Sequence, residues 1–326
     1  MEMGAQWIHG EENNPIYKLA AENHLLADSN LPALNSFEEF WETRFYTQEG
    51  RELDSDVVKE TLTVLDQIFD EADKFHRENK PLLNKDESMG TFAFDMFHKY
   101  LQTTKCHDDD RETWRVKEAV FNWRMQMEKI ECGCRSLYEM SAHAWGEFRE
   151  CQGQDEVTLR RGFRSVFDLL LQGVPESSVR TSTPVQCIYW NQEQESKSGV
   201  AQNVFSTDTK YNGYPLTVRT KSGEFIPADH VIVTCSLGVL KKNAHFMFKP
   251  ILPRDKMAAI HRLGFGTVDK IFLEWSEPWW DSETHVIQLA WMPDEPFFVD
   301  DDGQDNFTNS GMVRISKSLI IIFIFI

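Results

Sequence analysis

Apolar residues recur at helical spacing over much of the first half of the chain. Asn14 can cap a helix whose first turn tolerates Pro15, and Ile16, Leu19 and Ala20 then repeat every three to four positions. The same spacing predicts helices over 13–23, 57–75, most of 89–127, and 162–171. Helices without a sheet pattern indicate a separate lobe that covers a substrate.

The spacing changes to that of β-strands at Val185. Strands are predicted over 185–189, 216–220, 224–226 and 231–234, and Ser222-Gly223 supplies a turn. The continuous apolar run over 231–233 is typical of a strand that is buried on both faces. A helix is predicted after Pro253, and a further strand over 270–273. Helices and strands together predict an α/β fold.

Length and charge narrow the class of protein. With 326 residues, of which 41% are hydrophobic, the chain can bury a sizeable core, and its length favours about two domains. Its net charge of −18 argues against binding to nucleic acid, because that binding depends on clustered Lys and Arg. The same charge would attract cationic ligands, although a requirement for solubility explains it equally well.

The six cysteines are scattered along the chain and are not preceded by a secretory leader, which predicts reduced thiols and a cytoplasmic location. Cys132-Gly133-Cys134 lacks a second Cys or His pair at zinc-site spacing, so we expect no metal site. The final eight residues, 319–326, are all apolar but far too few to span a membrane. We expect no membrane partner and no native structure in this apolar tail.

The chain lacks the usual sequence for binding the phosphates of a dinucleotide. That sequence, G-x-G-x-x-G, follows a strand and opens a helix. Only Gly264-Phe265-Gly266 approaches it, and this stretch lacks both the third glycine and the helix. The phosphate-binding turn is therefore expected to be missing.

Four blocks of sequence resemble a known family. They are Gly4-Ala5-Gln6-Trp7-Ile8-His9-Gly10 with Asn14-Pro15-Ile16-Tyr17, then the stretches 184–190, 228–241 and 261–274. In this order they are similar to flavin-containing amine oxidases of the animal spermine oxidase and acetylpolyamine oxidase type. The similarity covers residues 1 to about 300 and is loosest between 30 and 150.

The resemblance implies a two-domain flavoprotein in which segments of the two domains alternate along the chain. Residues 1–19 and 178–245 would form part of an FAD-binding domain, and 20–177 with 246–318 a substrate-binding domain. It also implies FAD-dependent oxidation of a polyamine by oxygen. The family removes a hydride from the carbon beside an amine nitrogen, the resulting imine hydrolyses, and hydrogen peroxide is released. The amine must be uncharged to react.

The resemblance also implies roles for individual residues. Lys270 matches a lysine that holds a water against flavin N5, and His9 matches an active-site histidine that accepts a proton or hydrogen bond from the amine. Glu131 aligns loosely with an acidic residue that binds the distal amine of the substrate. The residues implied to contact the cofactor are Gly4, Ala5, Gln6, Trp7, Val185 and Thr234. Among these, Val185 would pair with adenine through its backbone.

The sequence also departs from the family. Besides the glycine turn, the acidic residue for the ribose and a C-terminal flavin segment have no counterpart here, so we expect this chain to bind FAD poorly and to be inactive by itself. Two alternatives stay open. The chain could act on another amine, such as methyl-lysine, or it could be a non-catalytic fragment that binds a partner.

Overall fold

The computed structural model describes residues 5–27, 44–79, 87–103, 110–149, 151–154, 157–190, 214–266, 276–277 and 287–293. The chain divides into two compact units, one formed by Met1–Gln172 with Gly266–Ile326 and the other by Gly173–Phe265. The division into FAD-binding and substrate-binding domains stays a prediction. The strand predicted at 270–273 and the apolar tail lie outside the described residues, so both also stay predictions.

The described part of the chain contains both helices and strands. The helices are α1 (Pro15–Glu22), α2 (Ser55–Arg77), α3 (Met89–Leu101), α4 (Arg111–Glu131), α5 (Arg164–Leu170), α6 (Leu237–Met247) and α7 (Arg254–Arg262). The strands are β1 (Trp7–Ile8), β2 (Arg44–Tyr46), β3 (Val157–Thr158), β4 (Val185–Tyr189), β5 (Leu216–Thr220), β6 (Phe225–Ala228), β7 (Phe248–Lys249) and β8 (Ile287–Leu289). Within these residues no helix is both long and apolar enough to cross a membrane.

Helices α2, α3 and α4 form the main core of the first unit. Each begins at a side chain that accepts hydrogen bonds from the first turn: Asp54, Ser88 and Asp110. Their buried faces pack against one another through aromatic rings. Phe97 of α3 stacks on Phe121 of α4, with ring centroids 4.6 Å apart. The helical spacing therefore predicted this core correctly, and the mostly helical stretch 89–127 holds α3 and most of α4.

The N-terminal segment forms a smaller cluster in the same unit. Strand β1 pairs antiparallel with β3, with Ile8 opposite Val157. The buried side chains of this cluster are Ile8, Ala20, Val157, Leu159 and Val166. The expected cap of α1 is confirmed, because the side chain of Asn14 accepts hydrogen bonds from the amides of Ile16 and Tyr17.

The second unit is a four-stranded sheet with two helices packed on it. The strand order is β6-β5-β4-β7, in which β4, β5 and β6 are antiparallel and β7 runs parallel to β4. The β5–β6 connection turns at Gly223, whose φ of 91° is readily adopted by glycine. Buried residues from β4, β7 and both helices form its core: Ile188, Ala244, Met247, Phe248, Met257 and Ile260.

The prediction of a buried strand over 231–234 is wrong. These residues form no regular secondary structure, and Ile232 is 89% exposed. Only Val231 packs against the core of the unit. An apolar run becomes a strand only when a neighbouring strand pairs with its backbone, and none of the strands that the structure describes pairs with it.

Candidate active site

The candidate histidine follows directly after β1. Pairing with β3 turns the side chain of Ile8 into the core, and the next residue, His9, is exposed. Trp7 is half-buried and Ala5 is exposed. Gly4 lies outside the described residues. Within Ala5 to His9, Gln6 is half-buried like Trp7, and Ile8 is the one buried side chain.

The side chain of Asn14 holds the backbone at His9 in place through hydrogen bonds. Its side-chain amide donates to the carbonyl oxygens of His9, at 2.9 Å, and Gly10, at 3.1 Å. Its side-chain oxygen accepts from the amide of Ile16 at 3.0 Å. One residue therefore joins the turn after His9 to the start of α1. The sequence predicted the cap but not these two further bonds.

Gly10 is a second residue whose contribution the sequence did not reveal. Its φ is 74°, in the left-handed region, and its amide donates to the carbonyl of Gln154 at 3.0 Å. A Cβ added here would overlap the carbonyl of Cys151. Only glycine fits this close approach of two backbones, so Gly10 determines the path of the chain after His9.

Glu131 is the last residue of α4 and is exposed. The chain turns immediately after it at Gly133, where φ is 58°. Gly266 lies against this turn so closely that a Cβ at Gly266 would overlap the carbonyl of Gly133. The structure therefore brings the end of α4 beside a segment that precedes Lys270 by four residues, although Lys270 itself lies outside the described residues.

The thiol beside Glu131 is held protonated. Burial of its sulfur raises the pKa of Cys132 to about 12, and the carboxylates of Glu128 and Glu131 and the neighbouring Cys134 act in the same direction. Because only a thiolate is a good nucleophile, this raised pKa makes Cys132 a poor nucleophile at neutral pH.

The remaining candidates lie in the second unit. Val185 begins β4 and is 39% exposed. Strand β7 pairs only with Ile188 and Tyr189, so no described strand pairs with that edge of β4 beside Val185. Thr234 is exposed and stands two residues before Ser236, whose side chain caps α6. The site predictions thus divide between the units, with Ala5 to His9 and Glu131 in the first.

A model of the family described as flavin containing amine oxidoreductase matches residues 1–316. The chain belongs to this family of enzymes. Over 303 residues it is 31% identical to the human peroxisomal N(1)-acetyl-spermine/spermidine oxidase, an alignment that covers 91% of this chain and 56% of the relative. The bovine protein of the same name is 29% identical over 299 residues, which is 89% of this chain and 55% of the relative.

A plant relative gives the same assignment. The chain is 25% identical over 334 residues to the probable polyamine oxidase 5 of Arabidopsis thaliana, with 89% of this chain and 57% of the relative aligned. The chain thus spans just over half the length of these curated relatives. Family membership confirms the suspected resemblance, and with the mixed helices and sheets it confirms the predicted α/β flavin amine oxidase fold.

The described part of the second unit is compatible with one requirement of a flavin cofactor, a backbone edge for a flat ring. No strand among the described residues pairs with this edge of β4 beside Val185, so backbone there is left for a flat heteroaromatic ring. Thr234 in this unit and Ala5 in the first unit are each exposed, so each by itself is accessible to a ligand. The sequence supplies no glycine-rich turn for the phosphates, so the fit extends to the ring contacts only.

Proposed function

We propose that this family member acts in the FAD-dependent oxidation of polyamines, either spermine or acetylated polyamines, with oxygen as the second substrate. The observation that carries the proposal is the alignment with the human N(1)-acetyl-spermine/spermidine oxidase over 91% of this chain. When bound, FAD would supply the acceptor for a hydride from the carbon beside the amine nitrogen. Oxygen would take the two electrons from the reduced cofactor and be released as hydrogen peroxide. Hydrolysis of the imine gives an aldehyde and an amine.

The residues of the first unit would prepare the amine for this reaction. The exposed imidazole of His9, on a backbone held by Asn14, would accept a hydrogen bond or proton from the reacting amine. Loss of that proton is required because a protonated nitrogen has no lone pair to donate. Lys270 would hold a water at the flavin, a role that rests on the resemblance alone.

Glu131 would bind the distal, charged amine of the same substrate. Glu131 is exposed at the end of α4, two residues before Gly133, which lies against Gly266. The net charge of −18 favours the approach of a polycation to any exposed site. We also propose a cytoplasmic location, which rests on the scattered cysteines, those at 132, 134, 151, 187 and 235 being free.

Cofactor choice is tested on the purified chain, incubated separately with FAD and FMN and then desalted. We expect FAD to be retained in preference to FMN, but at less than one equivalent, because the phosphate-binding turn is missing. Steady-state peroxide production per mole of total chain should then be close to background, because few chains carry FAD. Stoichiometric FAD with rapid turnover would contradict the expected weak binding and leave the substrate assignment intact.

Substrate choice is tested in the FAD-loaded fraction, without oxygen, by the loss of flavin absorbance. We expect spermine or N1-acetylspermine to reduce the flavin at least about tenfold faster than benzylamine or a dimethyl-lysine peptide. Faster reduction by the peptide would replace the proposal with methyl-lysine oxidation. Failure of every amine to reduce bound flavin would overturn it in favour of a non-catalytic, partner-binding role.

A further inference from the structure

Two histidines meet at the ends of neighbouring helices in the second unit. His245 lies in the last turn of α6, and His261 lies in the last turn of α7. Their Nε2 atoms are 3.1 Å apart and share a hydrogen bond, in which one ring donates and the other accepts, and both side chains are exposed. Neither residue has a role in the proposed oxidation. The two helices that carry them pack on the sheet through buried Ala244, Met247, Met257 and Ile260, so the two rings stand on a rigid base.

In the metal-free chain the two rings face each other head-on, with centroids 5.3 Å apart, so both exposed rings must rotate before their nitrogens can point at one metal ion. Imidazole nitrogens bind zinc at about 2.0 to 2.1 Å, so two of them at an angle of about 100° are separated by about 3.1 Å. That angle lies between the right angle of tetragonal Cu²⁺ and Ni²⁺ sites and the tetrahedral angle of Zn²⁺. Each ring would bind through Nε2, in its neutral form. The exposed side of the pair leaves the remaining coordination positions to water.

The helix ends also favour a cation at this place. The last carbonyls of a helix carry a partial negative charge, and here two helix C-termini lie side by side. The ammonium group of Lys241 already lies at this partial negative charge, since it donates to the carbonyl oxygen of His261 at 2.9 Å. A metal ion at the two rings would benefit from the same field, although repulsion from Lys241 would weaken its binding.

We propose that His245 and His261 form a two-nitrogen site for one divalent transition-metal ion, Cu²⁺, Ni²⁺ or Zn²⁺, which links the end of α6 to the end of α7. The described residues contain no group of three or more His, Cys, Asp or Glu side chains able to hold a metal, so this site differs from a closed structural zinc site. Metal binding requires the native helix pair, and it therefore stabilises the folded chain.

Titration with Ni²⁺, followed by calorimetry and by the melting temperature, tests the site in the full chain. The variants are His245→Gln, His261→Gln and the double substitution. Exposed His230, which lies outside both helices, supplies the matched control His230→Gln. We expect each single variant to lose at least about tenfold in Ni²⁺ affinity and most of the metal-induced rise in melting temperature. The double variant should lose little more, because one ring cannot form the chelate.

Circular dichroism without metal confirms that the variants fold, and Mg²⁺, which prefers oxygen ligands, should have no effect on any of them. Unchanged Ni²⁺ affinity in either single variant would overturn the proposal, because the ion would then bind elsewhere. An equal loss in His230→Gln would also overturn it. Purely additive losses from the two singles would show two independent sites in place of the chelate.

Discussion

At the scale of single residues, the position of His9 depends on Asn14, which performs two tasks with two different atoms. Its side-chain oxygen caps α1, and its side-chain nitrogen donates to the carbonyls of His9 and Gly10. Replacement by Asp keeps the oxygen and removes the donor. The two tasks can therefore be separated by substitution.

We expect Asn14→Ala to cost about 1 kcal/mol of stability and to move the NMR signals of the His9 ring. Asn14→Asp should move the same signals with a smaller loss of stability. Asp54→Ala is the matched control, because Asp54 caps α2 through the same pattern without contacting His9. Urea unfolding and NMR measure the two effects, and unchanged His9 signals in Asn14→Asp would show that the donor does not position the histidine.

Asp66 gives a prediction about pH. Burial raises the pKa of this carboxyl to about 6, with a further contribution from Asp70, although Arg124 lies 3.8 Å away and opposes the rise. The folded chain therefore holds this proton more tightly than the unfolded chain. The resulting stabilisation is complete below about pH 4 and is lost as the pH rises through about 6.

At pH 7 the ionised Asp66 should therefore destabilise the first unit, and Asp66→Asn should stabilise it. The gain should be about 1 kcal/mol, smaller than the raw pKa shift implies, because the side chain is 28% exposed and solvent screens its charge. Urea unfolding at pH 4 and pH 7 measures the difference, which should be small at the lower pH. A gain that is equal at both values would exclude titration of Asp66 as its cause.

At the scale of elements, local sequence patterns were sufficient to predict helices, because apolar spacing and capping residues lie within or beside the helix itself. The spacing of Val58, Leu62 and Leu65 predicted α2, and the capping side chain of Asp54 marks its start. The strand expected at 231–234 failed because its formation depends on a partner that no local pattern reveals. The same limit applies to the site. The contact between Gly133 and Gly266 joins residues far apart in sequence, so composition and spacing could not predict it.

The exposed run at 231–233 can be tested by comparing how much Ile232 and buried Ile188 each contribute to the free energy of unfolding. We expect Ile232→Ala to change the free energy of unfolding by less than about 0.5 kcal/mol, since Ile232 is 89% exposed. Ile188→Ala, in buried β4, should cost about 2 to 4 kcal/mol. Urea unfolding of both variants measures this contrast. Similar losses at the two positions would mean that Ile232 is buried in solution and would restore the predicted strand.

At the scale of the whole molecule, the net charge of −18 should make the binding of a polyamine sensitive to salt. Spermine carries more charged amines than N1-acetylspermine, so its affinity should fall more steeply as NaCl rises from 50 to 500 mM. The reason is that salt screens each charge on the ligand from the acidic protein. Calorimetric titration of the FAD-loaded chain at several salt concentrations measures both slopes.

The variant Glu131→Gln separates the effect of the Glu131 carboxylate from the effect of the net charge of the chain. If Glu131 binds the distal amine, this variant should weaken spermine binding several-fold at low salt and flatten its salt dependence, because one close attraction is removed. Glu22→Gln, at an exposed position in α1, removes the same charge elsewhere and should have little effect. Equal effects of the two substitutions would assign the attraction to the overall charge, and Glu131 would then have no special part in binding the amine.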